Sequence, residues 1–217
     1  MSKHEGTATE GRALSIVAGI LSTVLSSFAW ITEREAVLRL SPLVVCSFSL
    51  LIGAPILLLI ARWNRPFPTI EKLIEHQRAF FLVLICRGIM GQLFLIYSLT
   101  MTSSAKVMFL TKIEPYLIVF WFCLFKVEKL SRSHLSLLAV HIGGAIVLST
   151  GGSIHLDVGQ IGDLLIFAGV AANSLSYAPA QELSRSVGSF FASGLSALVA
   201  GVLILPFALA LEPSPFH

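Results

Sequence analysis

The sequence predicts an all-α fold, a polytopic transmembrane bundle of about seven helices. Of the 217 residues, 55% are hydrophobic and 12% are charged, whereas a soluble domain carries about 25% charged residues. The chain also contains apolar windows long enough to cross the roughly 30 Å of hydrocarbon in a bilayer. These windows are 13–32, 42–61, 79–100, 105–125, 134–151, 162–181 and 189–211. Because backbone groups need internal partners in lipid, each window is expected to be a helix.

The first window follows a short polar tail, residues 1–12. It is longer than the core of a signal peptide and has no small-residue cleavage pattern. Ala13 to Thr32 is therefore predicted to be a retained first helix. The second, fifth and seventh windows contain no Asp, Glu, Lys or Arg, so each is a strong candidate for a span.

The remaining windows carry charges that a spanning helix has to accommodate. The third window contains Arg87, the fourth contains Lys106, Lys112 and Glu114, and the sixth begins beside Asp163. Acidic groups near the window ends, Asp163 and Glu182 among them, are expected to be solvated. The charged residues deep inside the third and fourth windows need a different explanation.

The distribution of positive charge predicts the orientation. With the amino terminus in the cytoplasm, ten Lys and Arg residues fall in inside segments and three in outside segments, the other two of the fifteen being Arg87 and Lys112 within helices. This bias indicates a cytoplasmic amino terminus. We expect an integral, multi-pass protein of the plasma or inner membrane, with an organelle membrane as the alternative.

A weak internal repeat relates the two ends of the chain. At a shift of 150, the segment from Leu14 aligns with that from Leu164, and at a shift of 147 "SLLIGAPILL" aligns with "SALVAGVLIL". An odd number of helices separates the two copies, so the second copy enters from the opposite face. Inverted repeats of this kind underlie alternating access in secondary transporters. The chain then divides into a five-helix unit at 13–152, a partial second unit of two helices at 162–211 and a tail at 212–217.

Several motifs in combination carry a family resemblance. Small polar residues lead into the fourth helix, Glu114-Pro115 lies midway along it, and Glu128 with Leu130-Ser131 follows its end. A Gly-Gly helix comes next, and "CRGIMGQ" occupies the third helix. Together these resemble the EamA-like permeases of the drug/metabolite transporter superfamily, over roughly residues 13–211.

The resemblance implies ten helices in two five-helix units, and transport of a small organic metabolite or drug-like solute by alternating access, either proton-coupled or by exchange. Here the second unit stops after two helices, at "LALEPSPFH". We therefore expect either a fragment or truncated isoform, or a protein that another polypeptide completes. A homodimer is the other expected assembly. The alternative is a non-transporting membrane partner or pseudotransporter fragment. The expected partners are a small solute and the lipid bilayer, without nucleic acid.

Arg87 and Glu114 are expected at similar depth, because a rise of 1.5 Å per residue places them about 12 Å and about 16 Å from the same end of adjacent helices. A charge at the bilayer centre costs at least about 2.5 kcal/mol, so both should face protein or water and are predicted to pair. Lys112 points elsewhere on the helix, and Pro115 frees the carbonyl of Thr111 and permits a kink. Alternatively, Arg87 and Glu114 only clamp two helices together.

Polar residues of the sixth helix complete the predicted site. Asn173 and Tyr177 are four residues apart on one face, where they would contact a solute or hold helices together. Gln92 is added from the third-helix motif. The predicted transport residues are Arg87, Gln92, Lys112, Glu114, Pro115, Asn173 and Tyr177.

The small residues suggest close helix packing. Gly143 and Gly144 lie in the fifth window, and Ala192, Ser196 and Ala200 form a small-xxx-small surface in the seventh.

The sequence shows no enzyme signature. No phosphate-binding loop or HExxH motif is present, and the three cysteines lie in apolar windows without metal-ligand spacing. We therefore expect no catalytic residue, metal site or cofactor.

Overall fold

The computed structural model describes residues 3–64, 67–125, 136–137, 139–140, 142–144, 147 and 158–211. Within these ranges every element is a helix, and no strand is present. The α-helices are α1 (Lys3–Val37), α2 (Pro42–Asn64), α3 (Ile70–Glu75), α4 (Gln77–Val83), α5 (Gln92–Met101), α6 (Ser104–Leu110), α7 (Glu114–Leu124), α8 (Val158–Leu175), α9 (Tyr177–Val187) and α10 (Ser189–Leu211). The predicted all-α bundle is confirmed.

Four continuous spans among the described residues are long and apolar enough to cross a membrane, and a bent pair of helices makes a fifth. Numbered after the predicted helices, they are the second span Pro42–Trp63, the third Gln77–Met101, the fourth Ser104–Leu124, the sixth formed by α8 and α9, and the seventh Ser189–Leu211. The count of seven is not confirmed. Most of the predicted fifth window, 134–151, and the tail at 212–217 lie outside the described residues.

The first helix is longer than the sequence predicts. It begins at Lys3 and continues through Glu33 and Glu35 to Val37. The predicted tail is therefore helical from its third residue, and the two glutamates are helical where a connection was expected. A polar helix end can extend beyond the hydrocarbon into the headgroup region, which hydropathy windows do not register.

The second and seventh spans form the most extensive helix pair in the described structure. A Cβ at Gly194 would lie within 3.1 Å of Leu57 and Leu58, and one at Gly201 would lie 2.9 Å from Leu51. Gly194 approaches Leu57 and Leu58, whereas Gly201, which comes later on α10, approaches Leu51, which comes earlier on α2. The two helices are therefore antiparallel. These are the two helices aligned at a shift of 147, and they run in the opposite directions that an inverted repeat requires.

The third, fourth and sixth spans share the main core. The fully buried hydrophobic side chains that these three spans contribute are Ile96, Leu99, Val107, Leu110, Ile166 and Val170, and the second and seventh spans add Cys46 and Ala208. Gly169 allows close approach, because a Cβ there would lie 2.9 Å from Leu95 and 3.1 Å from the carbonyl oxygen of Gly91. Small residues at helix interfaces let backbones approach in this way. This core fixes the positions of the polar groups on the same three spans.

Substituting Gly201 by Ala is expected to weaken the α2–α10 pair. The added methyl group would overlap Leu51, and overpacking of a well-packed core costs about 1–3 kcal/mol. The measurement is the thermal unfolding midpoint of the purified protein in detergent. Gly53→Ala on α2 is the matched control, since its Cβ would meet nothing within 4 Å. Equal midpoints for the two variants would contradict the close contact.

Candidate functional site

The third span is interrupted by a π-helical segment, Leu84–Gly91, between α4 and α5. A π-helix has hydrogen bonds between residues five apart rather than four, and such segments are frequently found at functional sites. Arg87 lies in the middle of this segment, and Gln92 begins the α-helix that follows it. The irregular backbone therefore carries two of the predicted site residues.

The fourth span is interrupted by a 3₁₀ turn, Thr111–Ile113, directly before Glu114. Pro115 has no N–H group to donate to the carbonyl of Thr111, four residues earlier. The N–H of Glu114 donates to that carbonyl instead. The carbonyl predicted to be free is thus satisfied within the tighter turn, and the span continues as one membrane-crossing unit.

The sixth span bends by 42° between α8 and α9, at Ser176. Pro179 explains the break, because it cannot donate to the carbonyl of Leu175 four residues earlier. Ser176 Oγ donates to the carbonyl of Asn173 at 2.6 Å, which satisfies one backbone group beside the bend. The sequence predicted one helix over 162–181, but α9 continues in a new direction to Val187.

The three interruptions lie next to one another. The guanidinium carbon of Arg87 lies 5.8 Å from the centre of the Tyr177 ring, a cation–π arrangement between the third and sixth spans. Trp121 Nε1 donates to Ser174 Oγ at 2.9 Å and links the fourth span to the sixth. Asn173 packs so tightly on the π segment that a Cβ at Gly91 would lie 2.0 Å from Asn173 Oδ1.

Among the described side chains, Arg87 and Glu114 do not form the predicted direct ion pair. Arg87 and Lys112 both act electrostatically on the Glu114 carboxylate. Among the described side chains, however, the direct ion pairs are elsewhere, and Arg87 contacts the Tyr177 ring instead. Glu114 is half-buried while Lys112 is exposed, so the two point in different directions as their spacing requires.

Two cavities meet at Arg87. The first, of about 230 Å³, is lined by Leu50, Leu57, Val83, Arg87, Gly88, Gln92, Ala180, Leu183, Ser184, Ala192, Ser193, Ser196 and Ala197. The second, of about 330 Å³, is lined by Arg87, Phe122, Tyr177, Ala180, Gln181 and Ser184. Arg87, Ala180 and Ser184 belong to both linings. The cavities therefore adjoin along one face of α9.

A larger cavity, of about 620 Å³, continues towards the end of the bundle where α9 joins α10. Its lining includes Gln181, Ser184 and Arg185, together with Phe67 and Phe191. Ser184 thus lies at the junction of all three cavities. We call this end the Gly188 end, after the residue with φ +91° that separates α9 from α10.

The structure brings only some of the predicted transport residues to the cavities. Arg87, Gln92 and Tyr177 line them, and Glu114 lies within electrostatic range of Arg87 without lining them. The remaining three do not line these cavities: Lys112, Pro115 and Asn173. Lys112 and Pro115 are exposed.

Asn173 occupies a tight position between α8 and the π segment. Its Oδ1 is buried and has no hydrogen-bond partner among the described residues. Buried polar atoms are nearly always paired in folded proteins. The atom therefore marks a place where the described structure leaves a hydrogen-bond acceptor unused.

The predicted packing residues differ in their surroundings. Ala192, Ser196 and Ala200 are buried, and a Cβ at Gly88 would lie 3.1 Å from that of Ala200. They face the third span, while Gly194 and Gly201 face the second. In the partly described fifth window, a Cβ at Gly143 would meet nothing within 4 Å, and one at Gly144 would meet Phe109 at 3.8 Å.

Sequence reasoning did not single out Ser184 or Phe122 as site residues. Ser184 fell beyond the predicted end of the sixth helix, in a connection. Its spacing from Tyr177 through Gln181 is i, i+4, i+7, which is one face of a helix. Extending that periodic pattern past Gln181 would have included it.

A second polar cluster, at the opposite end of the bundle, corrects the expectation that Asp163 is solvated. Asp163 is only 4% exposed, accepts from Thr102 Oγ1 at 3.4 Å and pairs with Lys106 Nζ at 3.5 Å. The Arg34 guanidinium donates to the carbonyl of Thr102. We call these four residues the Asp163 cluster. It joins α1, α8 and the turn between the third and fourth spans.

Glu182 was also expected to be solvated, and it has a partner. Its carboxylate lies 3.0 Å from His76 Nδ1, although Glu182 remains 61% exposed. This contact joins α9 to the junction of α3 and α4. Among the described residues, no group of three or more His, Cys, Asp or Glu side chains is placed to hold a metal ion.

Comparison with known proteins identifies the family. The EamA-like transporter family matches residues 13–150, which is more than half of the chain. The chain belongs to the EamA-like transporter family. This is a family of membrane transporters of the drug/metabolite type rather than of enzymes, so the resemblance seen in the sequence is confirmed. No curated protein and no solved structure gives a significant match.

The family match covers the first unit of this EamA-like chain and not α8 to α10. Arg87, Gln92 and Glu114 lie inside the matched region, whereas Tyr177 and Ser184 lie outside it. The cavities of the EamA-like chain therefore have one wall from the matched region and one from the helices that follow.

Removing the Asp163 carboxylate is expected to destabilise the EamA-like chain, and Asp163→Ala should destabilise it more than Asp163→Asn. Asp163→Asn keeps an acceptor for Thr102 and loses the pairing with Lys106, a loss of about 1 kcal/mol for a partly exposed partner. Asp163→Ala also leaves Thr102 unpaired, for about 2 kcal/mol in total. Unfolding in detergent with increasing denaturant measures the difference. Glu35→Gln, at an exposed position on α1, is the control, and an unchanged Asp163→Ala variant would contradict the cluster's structural role.

Proposed function

We propose that this chain forms the solute-binding part of a secondary carrier, in which a small organic solute binds beside Arg87 and access alternates between the two ends of the bundle. One observation carries the proposal. The third, fourth and sixth spans are each interrupted at or beside a polar residue of the site: Arg87, Glu114 and Tyr177 respectively.

The interruptions favour a solute site because of backbone chemistry. Irregular backbone at membrane depth is tolerated only where it is buried in protein or lines a water-filled cavity. Carriers place their substrate sites at such discontinuous helices, whose halves can reorient separately. Arg87 supports the same conclusion, because a guanidinium exposed to hydrocarbon would be costly whereas one exposed to a wet cavity is not.

The two ends of the bundle differ in the way that alternating access requires. At one end the Asp163 cluster ties three elements together. At the Gly188 end the 620 Å³ cavity leads towards Arg87. We infer that this arrangement is one of the two access states, open at the Gly188 end. With a cytoplasmic amino terminus, that end faces the cytoplasm.

Glu114 is the proposed coupling residue. It is the half-buried carboxylate at the first residue of α7, and two cations act on it. A carboxylate within a span is expensive and is usually retained for a proton or substrate pathway. Binding of a proton at Glu114 would change its interaction with Arg87 and so link proton binding to solute binding.

Solute counterflow tests the carrier proposal. The purified chain is reconstituted into sealed vesicles loaded with one unlabelled member of a panel of amino acids, nucleosides and organic anions. The same labelled solute is then added outside. A carrier accumulates label transiently, in a saturable way, for at least one solute. Flux equal to that of empty vesicles for the whole panel, or a linear pore-like flux, would contradict the proposal.

Substituting Glu114 by Gln is expected to abolish coupled accumulation while the protein still folds. The change keeps the shape of the side chain and removes its charge, and we expect at least about a tenfold loss of initial rate, the factor that corresponds to 1.4 kcal/mol. Rates are compared at equal amounts of reconstituted protein. Glu35→Gln is the matched control. If Glu114→Gln instead prevents accumulation of folded protein, Glu114 serves as a structural clamp.

A further inference from the structure

We propose that the solute of this site is a small organic anion with an apolar or aromatic part, that Arg87 binds its anionic group, and that Ser184 positions it along the path from the Gly188 end. This inference deepens the carrier proposal and rests on it.

The linings of the three cavities carry positive charge. The 230 Å³ and 330 Å³ cavities share Arg87, and the 620 Å³ cavity that leads to them is lined by Arg185. Among the described residues, no Asp or Glu lines any of the three. A cleft with one sign of charge and low-dielectric walls concentrates ions of the opposite sign. The path therefore favours anions at its entrance and at its inner end.

The contacts of Arg87 leave its guanidinium available to a solute. Its guanidinium lies over the Tyr177 ring and is not in direct ion-pair contact with a described carboxylate. Glu114 acts on it from outside the cavity linings. The five N–H donors of an arginine match the oxygens of a carboxylate, sulfonate or phosphate in a forked geometry. Arg87 thus has donors directed at a cavity that contains no protein anion.

Neutral hydrogen-bonding groups surround that cation. Gln92, Ser193 and Ser196 line the smaller cavity, and Gln181 lines the other. Ser184 belongs to both of these cavities and to the 620 Å³ cavity. Any solute that moves from the Gly188 end to Arg87 passes this hydroxyl. Its position makes it the residue that limits size and orients polar groups along the path.

The remaining walls are apolar. Phe122 and Tyr177 line the 330 Å³ cavity, and Leu50, Leu57 and Val83 line the 230 Å³ cavity. Ligand sites commonly combine such apolar walls with a few placed polar groups. An inorganic ion would leave these surfaces without a partner. An anion that carries a ring or a short hydrocarbon chain would cover them.

Three probes of similar size separate charge from shape: benzenesulfonate is an anion, benzenesulfonamide is neutral and benzyltrimethylammonium is a cation. Binding to the purified full chain in lipid nanodiscs is measured by calorimetry at low salt. We expect benzenesulfonate to bind at least about tenfold more tightly than the other two, since charge-assisted hydrogen bonds are about twice as strong as neutral ones. Equal binding of the three, or no binding of benzenesulfonate, would overturn the anion site.

The variants assign the preference to Arg87. Arg87→Gln is expected to remove the tenfold difference between the anion and the neutral probe, and Arg87→Lys to retain part of it, since Lys keeps the charge and loses the forked geometry. Arg39→Gln, at an exposed arginine near the other end of the bundle, is the matched control and keeps the full preference. An anion preference that survives in Arg87→Gln would exclude Arg87 as the binding group.

Ser184→Leu is expected to reduce benzenesulfonate counterflow about tenfold or more by filling the cavity junction, whereas Ser186→Leu on the same helix leaves it unchanged, as Ser186 lies outside all three linings. Equal effects of the two variants would contradict the positioning role. Binding of benzenesulfonate without counterflow would contradict the carrier proposal and leave the anion site intact. Counterflow of only the neutral or cationic probe would contradict the anion site and leave the carrier proposal intact.

Discussion

A peptide group without a hydrogen-bond partner is costly in hydrocarbon, and this constraint determines how the centre of the bundle is built. Three spans depart from α-helical geometry at neighbouring positions, and a local hydrogen bond accompanies two of these departures. In the fourth span the N–H of Glu114 satisfies Thr111, and in the sixth Ser176 Oγ binds the carbonyl of Asn173. The irregular π segment and the bend in the sixth span lie beside the cavities of the described bundle.

The same departures place the polar side chains. In a regular helix Arg87 would follow the 100° rotation of its neighbours, but the π segment shifts the residues on either side relative to one another. As a result, Arg87 faces the Tyr177 ring and the cavities, while Gly91 gives Asn173 room to pack on the backbone. Packing on Leu95, Ile166 and Val170 holds this geometry in place.

Much of this architecture was accessible from the sequence, because it depends on hydropathy and spacing. The spans around Leu50, Leu95 and Leu203 are long apolar runs, and the opposite directions of Lys112 and Glu114 follow from helix geometry. The interruptions were harder to predict. Pro115 and Pro179 indicate two of the interruptions in the sequence. Nothing in "LICRGIMG" distinguishes a π segment from an α-helix, because the choice between them depends on contacts with other helices.

The predictions that the structure corrects concern residues near helix ends, where tertiary contacts outweigh local composition. Asp163 reads as a solvated end residue until Lys106 and Thr102 approach it from the adjacent turn. Ser184 reads as part of a connection because the hydropathy of the sixth window falls after Gln181, although the helix continues. In both cases the missing information is the three-dimensional position of a neighbour that is distant in sequence.

The bend at Ser176 gives α9 the mechanical character of a lever. Its 11 residues extend about 16 Å at 1.5 Å each. A rotation of about 10° around the bend would therefore move its far tip by roughly 3 Å, about the width of one water molecule, while its base beside Tyr177 stayed almost still. Such a rotation would change the width of the passage beside Ser184 and leave the surroundings of Arg87 almost unchanged.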